Sequence, residues 1–390
     1  MNLKYDILSI QERAVKRAKE GARVINGCAG MLFEDDKSLC IYDEVNHFIE
    51  TNFTSYLAYP EVLGSSDYEE GVLSWLFQDK VKPLKEKYQV GFAVTLGGTG
   101  ALSMLFSLTA DNEGLILLSD IRWPNYDTIA KEAKADINLY HMIKDDKLDI
   151  SSIKASIDEG LKKYSNILLV VNDPCHNPLG YCLSKEEYRA IKELLNSYSG
   201  KVSLLLDIAY IDYDPLDRYY EDMLLSDDVF FPVHLAFSCS KSFGLYGLRL
   251  GALISFLDKK VDLPKYLDSL RAYARGTYSC ANNGAMGPVS LFFKDEEAKE
   301  KVMSKLTKEI ERLKVIGKEL VELLDELNIP HYPYKGGFYL TFKTEDSISY
   351  CQELEKKDIY FAPIDKTHIR IAVSGLNSAE IKELKRRLLE

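Results

Sequence analysis

Ser238-Cys239-Ser240-Lys241-Ser242-Phe243-Gly244-Leu245-Tyr246-Gly247-Leu248-Arg249-Leu250-Gly251 lies between two strand-like apolar runs, residues 233–237 and 252–256. A lysine therefore sits in a tight, glycine-rich loop between two predicted strands. Lysine can condense with a carbonyl, and it becomes nucleophilic when desolvation or neighbouring cations lower its pKa. Ser238 and Arg249 add a hydroxyl and a guanidinium, donors that hold a phosphate dianion. A ligand that meets all three carries an aldehyde and a phosphate on one molecule, which is the requirement of pyridoxal phosphate.

Ser238-x-x-Lys241, Gly244-Leu245-Tyr246-Gly247 and Arg249 resemble the cofactor-lysine segment of the fold-type I aminotransferases, in particular the class I subgroup of aspartate and aromatic aminotransferases. The remaining chain carries similar counterparts of that family's other segments, in the family's order. Gly97-Gly98-Thr99-Gly100 follows a predicted strand and opens a helix whose amides can take an anion. It resembles the family's Ser-Gly-Thr-Gly-Ala, with Gly97 in place of the serine. Trp123-Pro124-Asn125 matches Trp-Pro-Asn, which implies a flat apolar face against the cofactor ring, although a tryptophan is more commonly a core residue.

Asn172-Asp173-Pro174-Cys175-His176-Asn177-Pro178-Leu179-Gly180 resembles the Cys-His-Asn-Pro-Thr-Gly turn, with Leu179 in place of threonine. The resemblance implies that Asn177 donates to the cofactor's phenolic oxygen, and it leaves His176 undecided. Asp207-Ile208-Ala209-Tyr210 resembles Asp-x-Ala-Tyr. A carboxylate at the end of an apolar strand is costly to bury unless it meets a cation, and a protonated pyridine nitrogen is one. Tyr210 is then expected to share the phenolic oxygen with Asn177. Arg275-Gly276-Thr277-Tyr278-Ser279 resembles Arg-x-x-Tyr-Ser, followed here by Cys280-Ala281-Asn282 where Asn-Pro-Pro is common. Arg370 lies in a strand similar to the one whose arginine grips the substrate α-carboxylate, Gly30 resembles the substrate-pocket glycine, and Tyr59 a phosphate contact from the neighbouring subunit.

The 390 residues are 46% hydrophobic and 28% charged, with a formal net charge of -11. That balance predicts a soluble globular protein of two or three structural units and argues against a nucleic-acid partner. Seven scattered cysteines without a CxxC pair fit reduced thiols, not a disulfide frame or a zinc site, so no metal is expected. A charged start and the lack of any span of membrane length predict a cytoplasmic protein without membrane contact.

Ser9-Ile10-Gln11-Glu12 has capping-box spacing and predicts a helix to about residue 22. A helix is also predicted over 67–88. From residue 90 onward strands and helices alternate, which predicts right-handed βαβ units and a mostly parallel sheet covered on both faces. Apolar Val302, Leu306, Ile310, Leu313 and Ile316 predict one long amphipathic helix over 295–327, bridging two domains. A smaller α+β unit is expected beyond it. The expected division is a large cofactor-binding domain over 50–294, with 1–49 and 295–390 forming the N-terminal arm and small domain.

The resemblance implies a pyridoxal-phosphate aminotransferase acting on amino acids and 2-oxo acids as a homodimer with shared active sites. Its expected catalytic residues are Lys241, Asp207 and Tyr210. Gly98, Thr99, Trp123, Asn177, Ser238, Arg249 and Tyr59 are expected to complete the cofactor site. Gly30, Trp123, Asn177, Arg275 and Arg370 are expected at the substrate. Arg275 points to aspartate or glutamate with 2-oxoglutarate or oxaloacetate. Aromatic amino acids are the alternative, and a C–S β-lyase on the same cofactor a more distant one.

Overall fold

Strands that are apolar on both faces need cover on both sides. The computed structural model, which describes residues 7–198, 200–216 and 218–389, assembles them into one seven-stranded sheet. Its strands are β1 (Gln89–Thr95), β2 (Leu115–Ser119), β3 (Asp136–Tyr140), β4 (Ile167–Asn172), β5 (Val202–Asp207), β6 (Val233–Ser238) and β7 (Gly251–Leu257). The spatial order is β1-β7-β6-β5-β4-β2-β3. Only β7 runs against its neighbours. Gly251 pairs with both Ser238 and Thr95, so the chain entering β7 arrives where β1 and β6 end. That reversal folds the lysine loop back over the carboxyl ends of the parallel strands.

The core of the sheet is what allows a carboxylate at its edge. Leu204, Leu205 and Leu206 of β5 are fully buried, each contributing about 1.5–3 kcal/mol, and Asp207 follows directly.

Beyond the sheet, β8 (Tyr339–Lys343), β9 (Ala362–Pro363) and β10 (His368–Ala372) form an antiparallel sheet in the order β8-β10-β9. The N-terminal segment joins this unit, because Ile25–Asn26 pairs in parallel with Ile359–Tyr360. The first helix, α1 (Ile7–Lys19), buries Ile10 and Ala14 against Cys28 and Tyr360. Arg13 reaches Glu355 and Arg17 reaches Asp358, both at 2.7 Å. Ser9 thus lies inside α1 and not at its start, since the apolar stripe and these ion pairs fix the helix.

The helix predicted over 67–88 is divided. It forms Ser66–Phe77 and Val81–Lys87, separated at Gln78, whose φ is 51°. Pro83 falls in the first turn of the second piece, where its missing N–H costs no hydrogen bond. The capping box at Ser184 and Glu187 is formed as the spacing predicts. The long helix, α2 (Glu296–Glu326), is continuous, capped by the Asp295 carboxylate accepting from the Ala298 N–H at 3.0 Å. It buries Val302, Leu306, Leu313 and Ile316, with Ile310 only partly covered. It touches both the turn Ile211–Tyr213 beyond β5 and the turn Val373–Gly375 beyond β10. All seven cysteines are free. Among the described residues no helix is long and apolar enough to cross a membrane.

Candidate active site

Parallel strands leave their carboxyl ends open to a ligand, and here those ends line a cavity of about 760 Å³. Gly98 and Thr99 reach it from the helix after β1, Trp123 from the turn after β2, and Asn172 and Asn177 from the end of β4 and the turn beyond. Asp207 comes from β5, Ser238 and Lys241 from β6 and its loop, and Arg249 from the entry to β7. Gly30, Tyr210 and Arg370 are in the same lining.

Lys241 Nζ donates to the Gly30 carbonyl and stands 4.7 Å from the centre of the Tyr246 ring. Burial, and then the charges of Arg370 and Arg249, lower its ammonium from 10.5 to about 7. Near neutral pH a substantial fraction is the free amine, the nucleophilic form. Between those two values the unfolded chain holds a proton that the folded chain has released. The lysine's contribution to stability therefore improves as pH rises from about 7 to 10.5. Urea midpoints of cofactor-free wild type should climb relative to Lys241→Met across that window. Parallel profiles would contradict the burial of this amine.

The anion end is built from Ser238, Arg249 and the first turn of helix Gly97–Asp111, which has no side-chain cap on its amides. Gly97 has a φ of +69°, and a Cβ there would lie 2.8 Å from Arg249 Nη2. The guanidinium thus packs into the space the glycine leaves open, which accounts for the missing serine. Arg249 is oriented by donating from Nη1 to Ser240 Oγ and to the Tyr246 carbonyl, both at 3.0 Å.

Asp207 is buried at the far side. Its Oδ2 accepts from the Tyr126 hydroxyl at 2.6 Å and its Oδ1 from the Ala209 N–H at 3.2 Å. Burial pushes the carboxyl up to about 6, while those two donors hold it back. The register pairs Asn172 with Asp207, and the Asn172 side chain donates to the Asp207 carbonyl at 2.9 Å. Its Oδ1 accepts from the Asn177 N–H at 2.7 Å, which sets the turn that presents Asn177.

Arg370 is buried on β10. It donates from Nη1 to Asn177 Oδ1 at 3.3 Å and from Nη2 to the Cys28 carbonyl at 3.0 Å, and its guanidinium lies 4.2 Å from the centre of the Tyr339 ring. Its Nε is buried with no partner among the described residues. The Tyr210 hydroxyl donates to that of Tyr339 at 3.2 Å. A Cβ on Gly30 would come within 2.4 Å of the same Tyr339 oxygen, so a larger residue there would have to displace the Tyr339 hydroxyl.

Two predicted residues stand outside the cavity of this chain. Tyr59 is 92% exposed, and Arg275 is exposed with Nη1 donating to Ser279 Oγ at 2.8 Å. His176 also lies outside the lining. It is buried with both ring nitrogens unpartnered, and burial pushes its pKa down to about 3, which keeps it neutral.

Sequence reading missed Tyr126, Asn172, Ser240, Tyr246 and Tyr339, and the apolar rim residues Ile7 and Leu8 of α1. Tyr126 directly follows Trp123-Pro124-Asn125, and Tyr246 and Ser240 sit inside the quoted loop, so adjacency was a usable signal for these. Nothing local marks Tyr339.

The lining can accommodate pyridoxal phosphate. It offers a releasable amine, an anion cradle shaped by Gly97, a buried acid for a ring nitrogen and a guanidinium with a free N–H. About 300–1,000 Å³ is the usual size of a small-molecule site. Fold and site together define a cofactor-dependent enzyme of the fold-type I architecture. The chain belongs to the class I and II aminotransferases, whose family model matches residues 25–388, and this family uses pyridoxal phosphate. It is 23% identical over 364 residues to the mitochondrial aspartate aminotransferase of Saccharomyces cerevisiae, covering 84% of this chain and 78% of that protein. A crystal structure of an aminotransferase from Anaerococcus prevotii superposes with a TM-score of 0.87 at 26% identity, over 98% of this chain and 95% of that one. The aromatic-amino-acid aminotransferase of Burkholderia pseudomallei, covalently bound to pyridoxal phosphate, gives a TM-score of 0.81 at 22% identity, again over 98% and 95% of the two chains.

Proposed function

We propose that this aminotransferase transfers the amino group between a dicarboxylic amino acid, aspartate or glutamate, and the matching 2-oxo acid, as a cytoplasmic homodimer. The observation that carries the amino-acid reading is Arg370, a buried guanidinium with an unpartnered Nε, in the same lining as a readily deprotonated Lys241. When bound, pyridoxal phosphate supplies an aldehyde for the amino group and a ring that withdraws electrons from the substrate Cα. Ser238, Arg249 and the amides of Gly98 and Thr99 hold the phosphate, with Tyr59 of a second copy. Asp207 would pair with the ring nitrogen, Asn177 and Tyr210 with the phenolic oxygen, and Trp123 would cover the ring face. Arg370 takes the α-carboxylate beside Gly30, which orients the Cα–H bond. Lys241 would hold the aldehyde, and its free amine would carry the proton from the substrate Cα.

In this reading residues 50–294 form the large domain, and 1–49 with 295–390 the small one. The pairing of Ile25–Asn26 with Ile359–Tyr360 supports that division. The exposed Phe53, Leu57 and Tyr59 support a second copy against this face, since such apolar side chains cluster at interfaces.

Selectivity rests on Arg275, supplied to the cavity of a second copy, where it can pair with the distal carboxylate. A desolvated bidentate pair is worth a few kcal/mol, or roughly a hundredfold in kcat/KM. Arg275→Ala should therefore lose about a hundredfold on aspartate and little on phenylalanine or alanine. An equal small change for all three substrates would sink the dicarboxylate reading. The same variant, mixed with inactive Lys241→Ala chains, should regain part of its aspartate activity through hybrid dimers. A second reading, aromatic donors, is favoured by the apolar Ile7, Leu8, Met31, Leu102 and Pro363 in the lining, and it predicts phenylalanine as the better substrate.

A further inference from the structure

Tyr126 stands next to the cavity lining but is not part of it, and its hydroxyl meets Asp207 Oδ2 at 2.6 Å. Among the described residues, the other side-chain oxygen of Asp207 receives only the longer bond from the Ala209 N–H, at 3.2 Å. Tyr126 is itself buried and held from several sides. Its N–H donates to the Trp123 carbonyl at 3.1 Å, and its ring meets that of Trp123 edge-on at 5.6 Å and that of Phe106 at 6.5 Å. The phenol thus has one place to point, and the carboxylate has one strong donor.

We propose that Tyr126 is a positioning residue that keeps the Asp207 carboxylate charged and aimed into the cavity, so that affinity for the protonated pyridine ring of the cofactor depends on it. The inference rests on the proposed role of Asp207. A carboxyl in an apolar surround is driven toward its neutral form, and a hydrogen bond donated to the charged form opposes that drive. Even with both donors in place the Asp207 pKa lies at about 6. Losing the shorter bond moves it further up, so more of the acid is neutral. Tyr126 does not take over the charge, because burial raises its own pKa well above the ordinary phenol value.

A purely structural role, filling the space between Trp123 and Phe106, makes a different prediction, and two probes separate them. Pyridoxal phosphate has a ring nitrogen that can pair with Asp207. Its 1-deaza analogue has the same shape, aldehyde and phosphate, with C–H in place of that nitrogen. Binding of each to cofactor-free protein is followed by quenching of tryptophan fluorescence in wild type, Tyr126→Phe, Asp207→Ala and the double variant. Tyr126→Phe should weaken pyridoxal phosphate by about tenfold or more, the scale of a hydrogen bond to a charged group, and leave the analogue within about twofold. In the Asp207→Ala background the tyrosine has nothing to act on, so its removal should change neither affinity. Equal loss for both probes, or no loss for either, overturns the role of Tyr126. If Asp207→Ala itself weakens the two probes equally, the assignment of Asp207 falls and takes this inference with it.

Discussion

Replacing Lys241 by alanine should slow transamination by about a thousandfold or more, the largest loss expected from any single substitution in this chain. Two functions disappear together. In the proposed mechanism the amine would be the nucleophile that meets the cofactor aldehyde and the base that moves a proton from the substrate Cα; general acid–base help alone is worth about 10²–10⁴-fold. Both require a free amine near neutral pH. Lys241 has one because burial and the charges of Arg370 and Arg249 bring it to about 7. Its own hydrogen bond, to the Gly30 carbonyl, is one any donor can replace, so Lys241→Ala should still fold and bind the cofactor. Adding a small primary amine should restore part of the activity, which a misfolded variant would not allow. Borohydride reduction of the wild type should fix the cofactor on the peptide that contains Lys241. An adduct on another lysine would end this assignment.

Arg370→Lys is the second large effect, with kcat/KM expected to fall by about 30-fold to 1,000-fold for every amino acid, which corresponds to about 2–4 kcal/mol, the lower part of the cost of truncating one partner of a buried charge pair, since lysine keeps the charge. Lysine keeps the charge, but it lacks the planar fork that binds a carboxylate through two parallel N–H bonds. The arginine is prepared for that task. Asn177 Oδ1 and the Cys28 carbonyl each take one N–H, the Tyr339 ring covers its face, and Nε remains unpartnered. The decisive comparison is between an amino acid and the amine that lacks its carboxylate. Wild type should favour the amino acid strongly, and Arg370→Lys should lose most of that preference. A preference that survives the substitution would mean that the α-carboxylate binds elsewhere.

Each of the segments that suggested the site is a short contiguous run at the end of a strand or the start of a helix, and such runs impose their own backbone requirements. That is why Ser238 to Arg249, Asp207 to Tyr210, the turn of Asn177 and Gly97 to Thr99 were legible before any fold was known, and why all four converge at one edge of the sheet. The sheet order itself was less legible. Alternating strands and helices imply parallel pairing, but they do not say that β7 is inserted in reverse between β1 and β6. Only that reversal brings Arg249 to the edge where Ser238 ends.

The amino-acid sequence by itself determined the architecture and the cofactor and singled out Lys241 as the candidate lysine, because periodicity and local motifs are properties of neighbouring residues. Tertiary structure decided the environment of those groups. Cys28 and Arg370 lie 342 positions apart and meet through one hydrogen bond, and Tyr126 reaches Asp207 across 81 positions. The lowered pKa of Lys241 comes from burial and from the charges of Arg370 and Arg249, and the raised pKa of Asp207 from burial; neither the burial nor Arg370 is written near either residue. The placement of α1 was likewise decided at a distance. Ile10 and Ala14 are buried against Cys28 and Tyr360, and Arg13 and Arg17 pair with Glu355 and Asp358, so the register of that helix is set by residues at the other end of the chain. Solvent exclusion and electrostatics act through space, and a linear pattern of residues carries no measure of either.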